Sequence, residues 1–143
     1  MTILRLFLDT NVLLDVLMRR EPFYGSSARV WTLAETGTHL GFVSAVSFIT
    51  VYYLLRKHGG DDRAHQSLHL IRSVFRPVEV DTRLLDDALA VSGGDFEDTV
   101  QLRSALRCGA DYLVTRDRDG FQSAPVPIVT ADELLAVLSV DRA

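Results

Sequence analysis

Apolar and polar positions along the chain alternate between two rhythms. Short apolar runs stand at 3–8 (ILRLFL), 39–44 (HLGFVS), 77–80 (PVEV), 111–115 (DYLVT) and 126–130 (VPIVT). Runs of this length, without a polar face, suit strands buried on both sides. Between them lie stretches with apolar residues at helical spacing: 11–18, 24–36, 45–57, 61–75, 82–91, a segment opening at DFED (95–98), and ADELLAVLSV at 131–140. Pro22 stops the first helix, since a residue before proline avoids helical backbone, and Gly37 suits the end of the second. The helix at 45–57 is apolar on nearly all sides, which predicts burial or an interface. In the DFED helix, acids stand at the start and Arg103 and Arg107 toward the end, complementing the helix dipole. Strands separated by helices predict an α/β fold: a central, mainly parallel sheet of short strands with helices on both faces. Residues 1–143 read as one domain, with no repeat or linker.

Composition narrows the function. The chain of 143 residues is 48% apolar and 24% charged, with a net charge of −4. That balance argues against coating nucleic acid by bulk electrostatics, although a local basic rim is compatible with it. One cysteine, Cys108, allows neither an internal disulfide nor a cysteine metal cage, and fits a reducing compartment. No signal-peptide pattern and no membrane-length apolar run are present, so a soluble cytoplasmic protein is expected.

The chemistry lies in the acids. Asp9 continues the first apolar strand without a break, and Asp117 follows the fourth. Asp95, Glu97 and Asp98 open the helix that feeds that fourth strand. In open parallel sheets ligands gather beyond the carboxyl ends of strands, so three segments deliver acids to one rim. Two unpaired carboxylates ~4 Å apart repel by ~4 kcal/mol at an effective dielectric of ~20. Cations relieve this, and oxygen-only ligands suit Mg²⁺ or Mn²⁺ better than Zn²⁺. Plainer roles exist for each: Asp95 as a helix cap, Asp98 as a dipole partner, Asp117 and Asp119 as turn residues, Asn11 as a cap. Asp9 is the acid these explain least. His65 and His69 share a helix face without a third zinc ligand and read as solvated.

In sequence order, LDTNVLLD, REPFY, VSAVSFITVYYLLRK, DFEDTVQLRSALRCGADYLVTRDRDGF and PVPIVTADELLAVL resemble the PIN-domain family, and among its members the VapC-type toxins. The resemblance spans nearly the whole chain and implies a three-layer PIN-like fold. It also implies a Mg²⁺- or Mn²⁺-dependent endoribonuclease that hydrolyses RNA without a covalent intermediate. Asp9, Asp98 and Asp117 take the catalytic and metal-ligand positions, with Asp95 as an added ligand. Asn11, Thr50 and Thr115 are expected to support them, and Arg116 and Arg118 to meet RNA phosphates. The implied partners are RNA, a small antitoxin whose C-terminal segment blocks the acids, and a second copy of the chain in a homodimer. The 45–57 helix and the Trp31 segment are candidates for those surfaces.

One departure matters. Family members usually carry Glu where this chain has Thr50. A neutral residue there removes one expected charge and opens an alternative: a PIN-fold module that binds RNA or protein with weak or no cleavage. An aspartyl-phosphate enzyme ranks third, because Asn11 stands where such phosphatases need an acid and no lysine follows Lys57. Relief of carboxylate repulsion predicts that Asp9→Asn leaves the fold as stable as before or more so.

Overall fold

In the computed structural model, which describes residues 2–121 and 124–140, five strands form one sheet. The elements run β1 (Arg5–Leu8), α1 (Thr10–Leu17), α2 (Tyr24–Glu35), β2 (Leu40–Ser44), α3 (Ala45–Gly59), α4 (Asp61–Val74) and β3 (Arg76–Val78). They continue through α5 (Thr82–Leu89), α6 (Phe96–Arg107), β4 (Tyr112–Val114), β5 (Ile128–Val129) and α7 (Ala131–Val140). Every strand and helix read from the hydrophobic pattern is present, with ends shifted by a few residues. The segment expected as a plain turn after β4 contains a short 3₁₀ helix at Arg118–Gly120.

Every strand pairing is parallel, in the order β3-β2-β1-β4-β5. Side chains alternate across the central strand. Leu6 and Leu8 enter the larger core with α1, α2, α3, α4 and α7, and Phe7 enters a second core on the other face with Phe42, Val78, Ala105 and Leu113. Burying a residue such as Phe7 contributes roughly 2–3 kcal/mol. The strands β1, β2 and β4 are covered on both sides along most of their length, which is why residues 6–8, 42–43 and 113–114 read as apolar runs. Trp31 is buried, packed edge-on to Phe75 at 4.9 Å, so its segment belongs to the core.

The α3–α4 pair is joined at Gly60, whose φ of 85° suits glycine. Val51 and Leu55 of α3 are buried, whereas Val46, Ile49 and Tyr53 are exposed. This apolar helix is therefore buried along one side only. Among the described residues no helix is long and apolar enough to cross a membrane.

From β1 the chain moves outward through β2 to β3, then returns to place β4 on the opposite side of β1. The gap between β1 and β4 is thus the point where strand order reverses, the preferred ligand position of open α/β sheets.

Candidate metal centre at the strand switch point

The register Leu8↔Val114 places the next residues of the two strands, Asp9 and Thr115, side by side. The Asp9 N–H donates to the Val114 carbonyl at 2.9 Å, extending the pairing by one step. Asp9 then caps α1 and is buried. Its Oδ1 accepts from the Thr10 N–H at 2.8 Å and from Gln101 Nε2 at 2.9 Å, and its Oδ2 accepts from Thr115 Oγ1 at 2.8 Å. A buried carboxylate needs such donors, and together they fix its orientation.

The second group of acids comes from the start of α6. Asp95 caps this helix, its Oδ1 accepting the Asp98 N–H at 3.0 Å, so the plainer role foreseen for Asp95 is realised. Asp98 follows within the first turn and faces the third segment, after β4. A Cβ on Gly120 would lie 2.9 Å from Asp98 Oδ2 and 3.1 Å from Asp117 Oδ2. The two carboxylates therefore converge over a residue with no side chain. Burial, then the charges of Asp95, Asp9, Asp117 and Glu97, push the Asp98 carboxyl up to about 6. Glu97 is also raised, by burial and then by Asp9 and Asp95.

This charge excess is what a cation would relieve. The donors are all hard oxygens, a set that fits Mg²⁺ or Mn²⁺. Among the described residues no three His, Cys, Asp or Glu side chains are already drawn into a closed cage. Asp9, Asp98 and Asp117 are thus coupled through charge without being closed on one point.

Asn11 and Thr115 connect the two sides of the switch point. Asn11 Oδ1 accepts the Arg116 N–H at 3.3 Å, and its Nδ2 lies 3.4 Å from Thr115 Oγ1. Thr115 Oγ1 also accepts the Asp117 N–H at 3.1 Å. Both arginines foreseen at phosphates have protein partners. Arg116 Nε lies 3.2 Å from Asp15 Oδ2 with its guanidinium 4.2 Å over the Phe23 ring, and Arg118 pairs with Glu133. Thr50, half-buried on α3, makes no hydrogen bond to these acids among the described residues. The α3 residue that reaches the site is Ser47, one turn earlier, whose Oγ lies 2.7 Å from Thr10 Oγ1. His65 and His69 are exposed; His65 lies 3.8 Å from Asp61, away from the acids.

Sequence reasoning missed Gln101 and Ser47. Gln101 is buried, and its Nε2 reaches Asp9 Oδ1, Thr10 Oγ1 at 3.2 Å and Ser47 Oγ at 3.3 Å. The available signal was its position one turn after Asp98, on the same face of α6.

A family model described as PIN domain matches residues 5–119. No curated protein sequence matches the chain. Among solved structures, the DNA-bound VapBC of Salmonella typhimurium is similar at TM-score 0.67 and 17% identity, covering 90% of this chain and 99% of its own. A toxin–antitoxin complex from Klebsiella pneumoniae is similar at 0.66 and 20%, covering 87% and 96%. VapC20 of Mycobacterium tuberculosis, a Sarcin-Ricin loop cleaving toxin, is similar at 0.62 and 16%, covering 76% and 86%. With a match spanning most of its length, two cores on either side of a parallel sheet and acids gathered at the β1/β4 switch point, this chain belongs to the PIN-domain family.

Proposed function

We propose that this chain is a metal-dependent endoribonuclease and the toxin of a toxin–antitoxin pair. The observation that carries the reading is the convergence of Asp9, Asp98 and Asp117 from three segments on the strand switch point, with Asp98 and Asp117 meeting over Gly120. Fold neighbours include a toxin that cleaves the Sarcin-Ricin loop and several toxin–antitoxin complexes, which supports an RNA substrate and an antitoxin partner.

Mg²⁺ or Mn²⁺ held by Asp9, Asp98 and Asp117, with Asp95 beside them, would supply an activated water and neutralise charge on the phosphoryl oxygens. The protein's contribution is placement. Thr10 N–H, Gln101 and Thr115 fix the Asp9 carboxylate, so little reorganisation is needed when a cation or phosphate arrives. Asn11 and Thr115 hold the segment that carries Asp117. Of the two arginines, Arg118 is the freer to meet a phosphate, since its side chain is 54% exposed and its partner Glu133 is at the surface too. The exposed face of α3, with Val46, Ile49 and Tyr53, is where we place the homodimer or antitoxin contact.

The test is RNA cleavage by the purified chain with Mn²⁺, with Mg²⁺ and with chelator, alongside Asp9→Asn. Metal-dependent cutting that the variant loses supports the reading. No cutting by folded protein across varied RNAs overturns it and favours the second reading, a PIN-fold binding module. One feature favours that second reading: α3 contributes no carboxylate, since Thr50 is neutral and Ser47 is the α3 residue bonded to the site.

A further inference from the structure

Asp15 lies further along α1 than Asp9 and is completely buried, yet the proposed chemistry does not use it. A buried carboxylate is costly unless it is paired. Here Arg20 Nε lies 3.0 Å from its Oδ1, and Arg116 Nε lies 3.2 Å from its Oδ2, where Ser27 Oγ also approaches at 3.5 Å. Burial raises the Asp15 carboxyl, against the pull of Arg116 and Arg20. Arg116 Nε is itself buried and not aligned for a hydrogen bond, so its link to Asp15 is ionic, with Phe23 covering the guanidinium face.

Two paths lead from this ion cluster to the acids. Arg20 Nη2 donates to the Asn11 carbonyl at 3.2 Å, while the Arg116 N–H donates to Asn11 Oδ1. Asn11 adjoins Thr115, whose hydroxyl donates to Asp9 and accepts from the Asp117 N–H. The cluster thus ties α1 and the turn after it to the segment following β4, across the gap where the acids stand.

We infer that Asp15 is a positioning residue for the acid site: clamped between Arg20 and Arg116, it fixes Asn11 and the Thr115–Asp117 segment, and through them the carboxylates of Asp9 and Asp117. The inference deepens the nuclease reading and rests on it only where cation binding or cleavage is measured.

The test compares Arg116→Gln, Asp15→Asn and the double variant with the parent chain. Arg116→Gln alters a partly exposed side chain and leaves the Asp15–Arg20 pair intact, so it keeps the test open if Asp15→Asn folds poorly. Two quantities are read: amide hydrogen exchange at Arg116 and Asp117, and Mn²⁺ affinity by calorimetry. We expect exchange at these two amides to speed up at least tenfold while β1 and α6 stay protected. Mn²⁺ affinity should fall 10–100-fold, the usual range for residues that orient metal ligands. The double variant should lose no more than Asp15→Asn, because the effect runs through the pair. A lower melting temperature with unchanged local exchange and Mn²⁺ affinity within twofold of the parent would reduce Asp15 to a structural ion pair. If the parent binds no Mn²⁺ and cuts no RNA, the nuclease reading fails by itself, and the exchange data still decide whether Asp15 positions the segment.

Discussion

Replacing Asp98 by Asn is expected to make the metal-free protein more stable at neutral pH. In the fold its carboxyl is pushed up to about 6 from an ordinary 3.8, by burial first and then by Asp95, Asp9, Asp117 and Glu97. A carboxyl whose folded pKa is raised penalises the folded state once it ionises. The penalty is absent below about 3.8, grows between 3.8 and 6, and is complete above 6. At 1.36 kcal/mol per pH unit its ceiling is about 3 kcal/mol. Solvent screening of a partly exposed group leaves about 1–2 kcal/mol. Asn also forfeits the favourable interaction of an acid with the first turn of α6, about 0.3–1 kcal/mol. A net gain of about 1 kcal/mol remains, or a melting temperature higher by about 3 °C for a domain of this size.

Thermal melts of parent and variant in chelator, from pH 4 to pH 8, measure it. The difference should be near zero or slightly negative at pH 4 and positive above pH 6. Saturating Mn²⁺ should reverse the order, because a cation at 100 times its Kd stabilises the parent by about 2.7 kcal/mol, while the variant lacks one of the proposed ligands. A variant no more stable than the parent at pH 7.5 in chelator would refute the view that these acids repel one another in the fold.

The remaining predictions follow from contacts nearby. Asp9→Asn should abolish cleavage and also lower stability by about 1–2 kcal/mol in a denaturant melt. All the donors at Asp9 point at its two oxygens, so an amide nitrogen must oppose either Gln101 or Thr115. This differs from the gain expected from sequence, and the reason is the set of donors aimed at Asp9, which an amide cannot satisfy in full. Gln101→Leu should cost about 1 kcal/mol of stability and lower the cleavage rate more than tenfold, read as kcat at saturating RNA, by freeing Asp9 to rotate. Gly41→Ala should destabilise by about 1–3 kcal/mol without touching the site. Its Cβ would stand 2.5 Å from Phe75 Cδ1 and 2.7 Å from Ala34 Cβ, and the melting temperature should fall accordingly.

Much of the fold was legible because buried parallel strands leave an unmistakable trace. ILRLFL and DYLVT are mostly apolar since both faces of β1 and β4 are covered, and the adjoining acid at Asp9 marks where the strand ends. The helical segments were legible from spacing and from their stops at Pro22 and Gly37. The half-exposure of α3 was not, because exposed Ile49 and Tyr53 look like core residues in a one-dimensional pattern. At the site, Asp9, Asp98 and Asp117 were legible as acids at strand ends and a helix start. Gln101, Ser47 and Asp15 were not, since each owes its role to partners 91, 37 and 5 or more positions away in sequence.

The missing Glu at Thr50 bears on charge before it bears on geometry. A metal centre needs enough negative charge to hold its cation, and here the rim collects Asp98 with Asp95, Asp9, Asp117 and Glu97, the four acids whose charges act on it. Four of these acids come from the residue after β1 and from the cap and first turn of α6. Without a carboxylate from α3, burial first and then the charges of these neighbours still push the Asp98 carboxyl up to about 6. What α3 supplies instead is Ser47, which with Thr10 and Gln101 forms a neutral hydrogen-bonded wall behind Asp9. Such a wall orients one ligand firmly and adds no repulsion. The neutral α3 thus leaves the acids at the rim in place, and their crowding around Asp98 is the physical reason to test the proposed metal-dependent activity before a purely binding role.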